Sequence, residues 1–127
     1  MKKILLIEDD TILRQTLSEI LQEEGYEVTQ AKDGDEGMAS FVLADYQLII
    51  TDLIMPKKGG MEVIHEIRKA SWEIKIMVIS GGGKHPLSEY MLMSTLLGAD
   101  AVMTKPFDIN QFVATVKDLL EKSLQKA

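Results

Sequence analysis

Strand-like and helix-like segments alternate five times along this chain, and four of the strand-like segments are short apolar runs that end on a residue with chemistry to offer. Ile4–Ile7 leads into Glu8, Asp9 and Asp10. Leu48–Thr51 leads into Asp52, Ile76–Ile79 into Ser80, and Ala101–Thr104 into Lys105 and Pro106. A continuous apolar run such as Ile4–Ile7 suits a strand covered on both faces. Its alternation with helical segments implies a parallel sheet with helices on both sides. In such sheets, ligands bind beyond the carboxyl ends of the strands. Groups distant in sequence therefore converge on one edge as three or four carboxylates, a hydroxyl and an ammonium. That set can hold a divalent cation and manage phosphate.

The segments between the runs read as helices. Leu13, Leu17, Ile20 and Leu21 share one helical face, with Asp10 or Thr11 as the cap and Gly25 as the stop. Glu27–Ala31 alternates and is expected as an edge strand. A short helix follows the Asp33-Gly34 turn to about Ala44. Pro56 and Gly59-Gly60 break the chain, and Met61, Ile64 and Ile67 mark the next helix. Lys75–Ser80 is the fourth strand, Gly81-Gly82-Gly83 a loop, and Leu87–Leu97 a poorly patterned helix. Gly98-Ala99-Asp100 turns into the fifth strand. Ile109, Phe112, Val113, Val116, Leu119 and Leu120 stripe the closing helix. His65 is expected on a solvated face with Glu62, Glu66 and Arg68; for His85, beside Gly81-Gly82-Gly83 and Lys84, an approach to the site is the less favoured reading. Trp72 reads as a partly packed anchor, and the methionines as core filling.

At 127 residues the chain is expected to be a single domain spanning 1–127, with no output domain. A net charge of −6 argues against sequence-independent nucleic-acid binding, which needs a positive surface. With no cysteine there can be no disulfide, thiolate metal site or cysteine nucleophile. Met1-Lys2-Lys3 precedes an apolar run too short for a signal peptide. No segment is long enough to cross a bilayer, so a cytoplasmic protein is expected.

Taken in order, KILLIEDD, AKDGDEG, LIITDLIMP, GGMEVI, IMVIS and GADAVMTKPF, followed by the amphipathic closing helix, resemble a response-regulator receiver domain of two-component signalling. Each segment is a weak motif; the ordered set is specific. The resemblance implies a (βα)5 flavodoxin-like fold, a five-stranded parallel sheet of order 2-1-3-4-5 with helices on both faces. That order belongs to the known fold class and is not legible in the sequence. It implies Asp52 as phosphoacceptor, and Glu8, Asp9, Asp52 and the Ile54 carbonyl as ligands of Mg2+, or of Mn2+ in its place. Ser80 would be the hydroxyl that moves toward the phosphoryl group. Lys105 would be the lysine that pairs with it, on a cis peptide to Pro106. The implied partners are a sensor histidine kinase or phosphotransfer protein and a downstream protein target, with no direct nucleic acid and no membrane. The chain would act as a monomer or a phosphorylation-dependent dimer, and not as a conventional enzyme. The change would be read on the face of the fourth helix, fifth strand and fifth helix.

Elementary chemistry asks for the same groups. An aspartate attacking a phosphoryl group brings negative charges together, and magnesium, an oxygen-seeking ion, offsets the repulsion. Clustered carboxylates without metal should include one with a raised pKa. The chain also departs from the family. Val102 stands where an aromatic residue usually swings, so switching is expected to rest on the Gly81–Lys84 loop. Ile54 and Gly82 cannot orient hydrolytic water, so a long-lived phosphoryl group is expected. Gln47 replaces a more usual acid. The alternative reading is a phosphorylation-independent interaction module of the same fold. A flavin protein would need a hydroxyl- and glycine-rich loop after the first strand, and an aspartate phosphatase a second acid two residues beyond Asp52.

Overall fold

A computed structural model describes residues 1–53, 58–81, 95 and 97–125. Ile54, Pro56, Gly82 to His85 and most of the predicted Leu87–Leu97 helix lie outside the described residues. In chain order the elements are β1 (Lys3–Ile7), α1 (Thr11–Glu23), β2 (Glu27–Ala31), α2 (Gly34–Phe41) and β3 (Leu48–Asp52). They continue as α3 (Gly60–Ala70), β4 (Lys75–Ser80), β5 (Ala101–Thr104) and α4 (Ile109–Gln125). The five strands form one parallel sheet of order β2-β1-β3-β4-β5, as the resemblance implied, with β2 at an edge.

Strand side chains point alternately to opposite faces, and here both faces are apolar. Ile4, Leu6, Leu48, Ile50, Met77 and Ile79 pack with Leu17 and Leu21 of α1 and with Phe112, Val116, Leu119 and Leu120 of α4. Leu5, Ile7, Ile49, Ile76 and Val78 pack on the other face with Val63, Ile64 and Ile67 of α3. This two-sided cover explains the continuous apolar runs. Each fully buried Leu or Ile contributes roughly 1.5–3 kcal/mol.

The local signals act as read. The Asp10 carboxylate accepts from the Leu13 N–H and caps α1, and Asp33 caps α2 through the Glu36 N–H. Gly25, at φ 95°, takes the chain out of α1 in a conformation other residues resist. Helix α2 stops at Phe41 rather than near Ala44, leaving Val42 and Leu43 exposed.

Three placements are corrected. Arg68 is buried, while His65 is exposed. The Arg68 guanidinium donates to the carbonyls of Ser71, Ile74 and Gly98 and pairs with Asp100 at 2.9 Å, so its charge is satisfied inside the fold. Trp72 is 71% exposed, with the Arg68 guanidinium 5.1 Å from its ring centroid. Met1 is exposed, unlike the buried Met77.

Candidate functional site

Strand register assembles the site. Ile7 is level with both Ala31 and Thr51, Asp52 with Ile79, and Ser80 with Thr104. The residues at or just past these positions are Glu8, Asp9, Asp52, Ser80 and Lys105, which therefore share the carboxyl edge. Backbone bonds hold the edge together beyond the strands. Glu8 N–H donates to Ala31 at 3.0 Å, Leu53 N–H to Ile79 at 2.9 Å, and Lys105 N–H to Ser80 at 2.7 Å. Pro106 follows a cis peptide, as the resemblance implied.

The Lys105 ammonium lies between two acids from different strands. It is 2.7 Å from Glu8 Oε1 and donates to Asp52 Oδ2 at 3.2 Å. Oxygens of Glu8, Asp9 and Asp52 all lie within 4.8 Å of one another. Glu8 is fully buried and Asp52 nearly so, whereas Asp9 faces solvent. Ser80 is buried, and its Oγ has no hydrogen-bond partner among the described residues. Ile54, the implied carbonyl ligand, falls outside them.

The electrostatics follow from burial. Glu8 is pushed up from 4.5 to about 7, chiefly by loss of solvent. The Asp52 charge and Asp9 push in the same direction, while Lys105 and the Asp10 N–H, which donates to Glu8 Oε2 at 3.0 Å, pull back. One raised carboxylate was expected from crowding; desolvation is the larger cause. Burial pulls the Lys105 ammonium down, but Glu8 and Asp52 together hold its pKa above the ordinary lysine value.

The cluster fits a hard cation. Its donors are all carboxylate oxygens within 4.8 Å of one another, the ligand type a hard divalent cation takes. Glu8 Oε1 is buried beside Lys105 without an aligned hydrogen bond, an acceptor a cation would satisfy.

Two contacts at the site were not read from the sequence. Arg14 reaches back from α1 to the Glu8 carbonyl, and Gly81 packs against the stem of Lys105. An arginine one helical turn after Asp10 is a weak signal, and the Gly81 contact depends on how the chain enters from β5.

Residues 4–117 match the family model for the response regulator receiver domain. The chain is 34% identical over 123 residues to a transcriptional regulatory protein CpxR homolog of Haemophilus influenzae, covering 97% of this chain and 52% of that protein. It is 33% identical over 121 residues to the cell cycle transcriptional regulator CtrA of Caulobacter vibrioides, covering 95% and 51%. The chain thus spans about half the length of these curated relatives. Among solved structures, it is similar to a CheY-like receiver domain protein of Methanospirillum hungatei (TM-score 0.93, 28% identity, 100% and 99% of the two chains). It is also similar to TrrA of Thermotoga maritima, solved in complex with Mg(2+)-BeF (TM-score 0.81, 37% identity, 94% and 99% covered).

Proposed function

This chain belongs to the response regulator receiver domain family, and from that premise we propose that it takes a phosphoryl group onto Asp52 from a histidine-kinase phosphohistidine. Receiver domains are signalling domains rather than conventional enzymes. The observation that carries the reading is the Lys105 ammonium, seated between Asp52 and the buried Glu8. It offers positive charge where a phosphoryl oxygen would arrive, at the end of the strand that carries the nucleophile.

In this reading an Asp52 carboxylate oxygen attacks phosphorus. The new O–P bond forms as the P–N bond to the donor imidazole breaks, and that nitrogen keeps the electron pair. Lys105 shifts from carboxylate to phosphoryl oxygen. Ser80, with a buried hydroxyl and no partner among the described residues, donates to another phosphoryl oxygen. Glu8, Asp9, Asp52 and the Ile54 carbonyl would hold Mg2+ or Mn2+. When bound, the cation would supply positive charge that offsets the repulsion of nucleophile and phosphoryl group. Better bonding of the phosphorylated form in one loop conformation shifts the population toward it, and a protein target reads that shift.

The test is intact mass after incubation with acetyl phosphate, with and without MgCl2, beside Asp52→Asn. The expected result is one magnesium-dependent phosphoryl adduct on the unaltered chain and none on the variant. No adduct from acetyl phosphate or from a phosphorylated kinase would favour the phosphorylation-independent interaction module.

A further inference from the structure

We propose that Arg14 is a positioning residue for the cation-binding acids: its guanidinium sets the peptide between Glu8 and Asp9, with Gln30 as its brace. The inference rests on the proposed metal role of those acids. Helix α1 fixes the starting point, because Arg14 N–H donates to the Asp10 carbonyl at 2.8 Å. From there Arg14 Nη1 donates to the Glu8 carbonyl at 2.8 Å, and Nε donates to Gln30 Oε1 at 3.2 Å. Gln30 belongs to β2 and is level with Leu6 of β1, so the brace stands on the sheet.

The carbonyl that Arg14 grips belongs to the peptide joining two of the three clustered acids. Glu8 is already restrained on either side of it. Its N–H is tied to Ala31, and its Oε2 accepts from the Asp10 N–H. Asp9 is exposed, and its carboxylate lies beside that of Glu8 at the solvent side of the cluster. Its direction is inherited from the plane of the Glu8–Asp9 peptide, and Arg14 fixes that plane. Groups outside the ligand set that orient it commonly control metal affinity by roughly tenfold or more.

Positioning and bulk charge make opposite predictions. Arg14 is a cation beside an acidic cluster. If it acted only through its field, removing it would tighten cation binding. If it orients the peptide, removing it weakens binding.

The experiment is calorimetric titration of the purified chain with MgCl2, beside thermal melts in EDTA, for Arg14→Ala, Arg14→Lys and Gln30→Ala. Arg14→Ala is expected to weaken Mg2+ roughly tenfold. Arg14→Lys keeps the charge but lacks the fork that reaches both acceptors, and falls between the two. Gln30→Ala weakens binding less, in the same direction. Melting in EDTA is not expected to account for the losses. Unchanged or tighter binding by Arg14→Ala overturns the inference. Should that variant not fold, the same outcome for Arg14→Lys and Gln30→Ala overturns it. If the unaltered chain binds no Mg2+, the functional reading fails and takes this inference with it.

Discussion

A β-carbon built on Gly81 would lie 2.4 Å from Cβ of Lys105, closer than unbonded carbons tolerate. The residue after the β4 hydroxyl is therefore the floor on which the site lysine rests. A side chain there must push the Lys105 stem away from Asp52 and Glu8. Gly81→Val is expected to slow phosphorylation from acetyl phosphate by roughly tenfold or more, the scale on which misplacing a reacting group is felt. The circular dichroism spectrum should stay that of the parent. Phosphorylation at the parental rate by a folded variant would count against the contact.

Arg68 offers a test of stability rather than chemistry. It ties the end of α3 and the loop after it to the Gly98–Asp100 segment that leads into β5. Asp100 Oδ2 also accepts from the Ile76 N–H of β4. Arg68→Ala strips several inward-facing acceptors of their donor and is expected to cost about 2–4 kcal/mol in urea unfolding. A loss below about 1 kcal/mol would mean that water replaces the guanidinium at no great penalty.

Glu8 gives a test of pH dependence in the metal-free protein. Its folded pKa of about 7 lies above the ordinary 4.5, so between these values the folded chain holds a proton the unfolded chain has released. This group's contribution is fully present below pH 4.5 and is lost as pH rises through 7, the reverse of a carboxylate stabilised by its ion pair. The groups facing it are Lys105 after β5, Asp52 on β3, and Asp9 and the Asp10 N–H on its own loop. In EDTA, Glu8→Gln should flatten the fall in stability across that window. An unchanged slope in the variant would assign the effect to another group.

Ile54 and Gly82 give the fourth expectation, drawn from the sequence alone. With no polar side chain at either position to orient water, the aspartyl phosphate should decay slowly. Ile54→Asn should shorten its lifetime severalfold, as followed by intact mass. Decay within seconds in the unaltered chain would sink the idea.

The central strands were legible because covered β-strands write themselves as apolar runs, and β2 because an edge strand alternates. Glu27–Ala31, Lys75–Ser80 and Ala101–Thr104 stand where the sequence put them. The acids and the lysine were legible because each follows such a run. Arg68 was not. Its charge suggested solvent, but it lies four residues after Ile64 and one after Ile67, on the side that packs inward. Its partner Asp100 is distant in sequence, so only the folded chain supplies the acceptors that make burial affordable. Arg14 escaped notice for a related reason, since its target is a backbone carbonyl, which no residue type announces. The early end of α2 left no mark in the sequence, since no glycine or proline follows Phe41 before β3.

The order in which the strands enter the sheet has a consequence for synthesis. Glu8 is made first, Asp52 midway, and Lys105 only after β5, an edge strand. A nascent chain that stops short of β5 carries the acids without their ammonium and has no cationic partner for an incoming phosphoryl oxygen. On the proposed function, competence to take up a phosphoryl group would arrive only with β5, and a half-made chain would be silent.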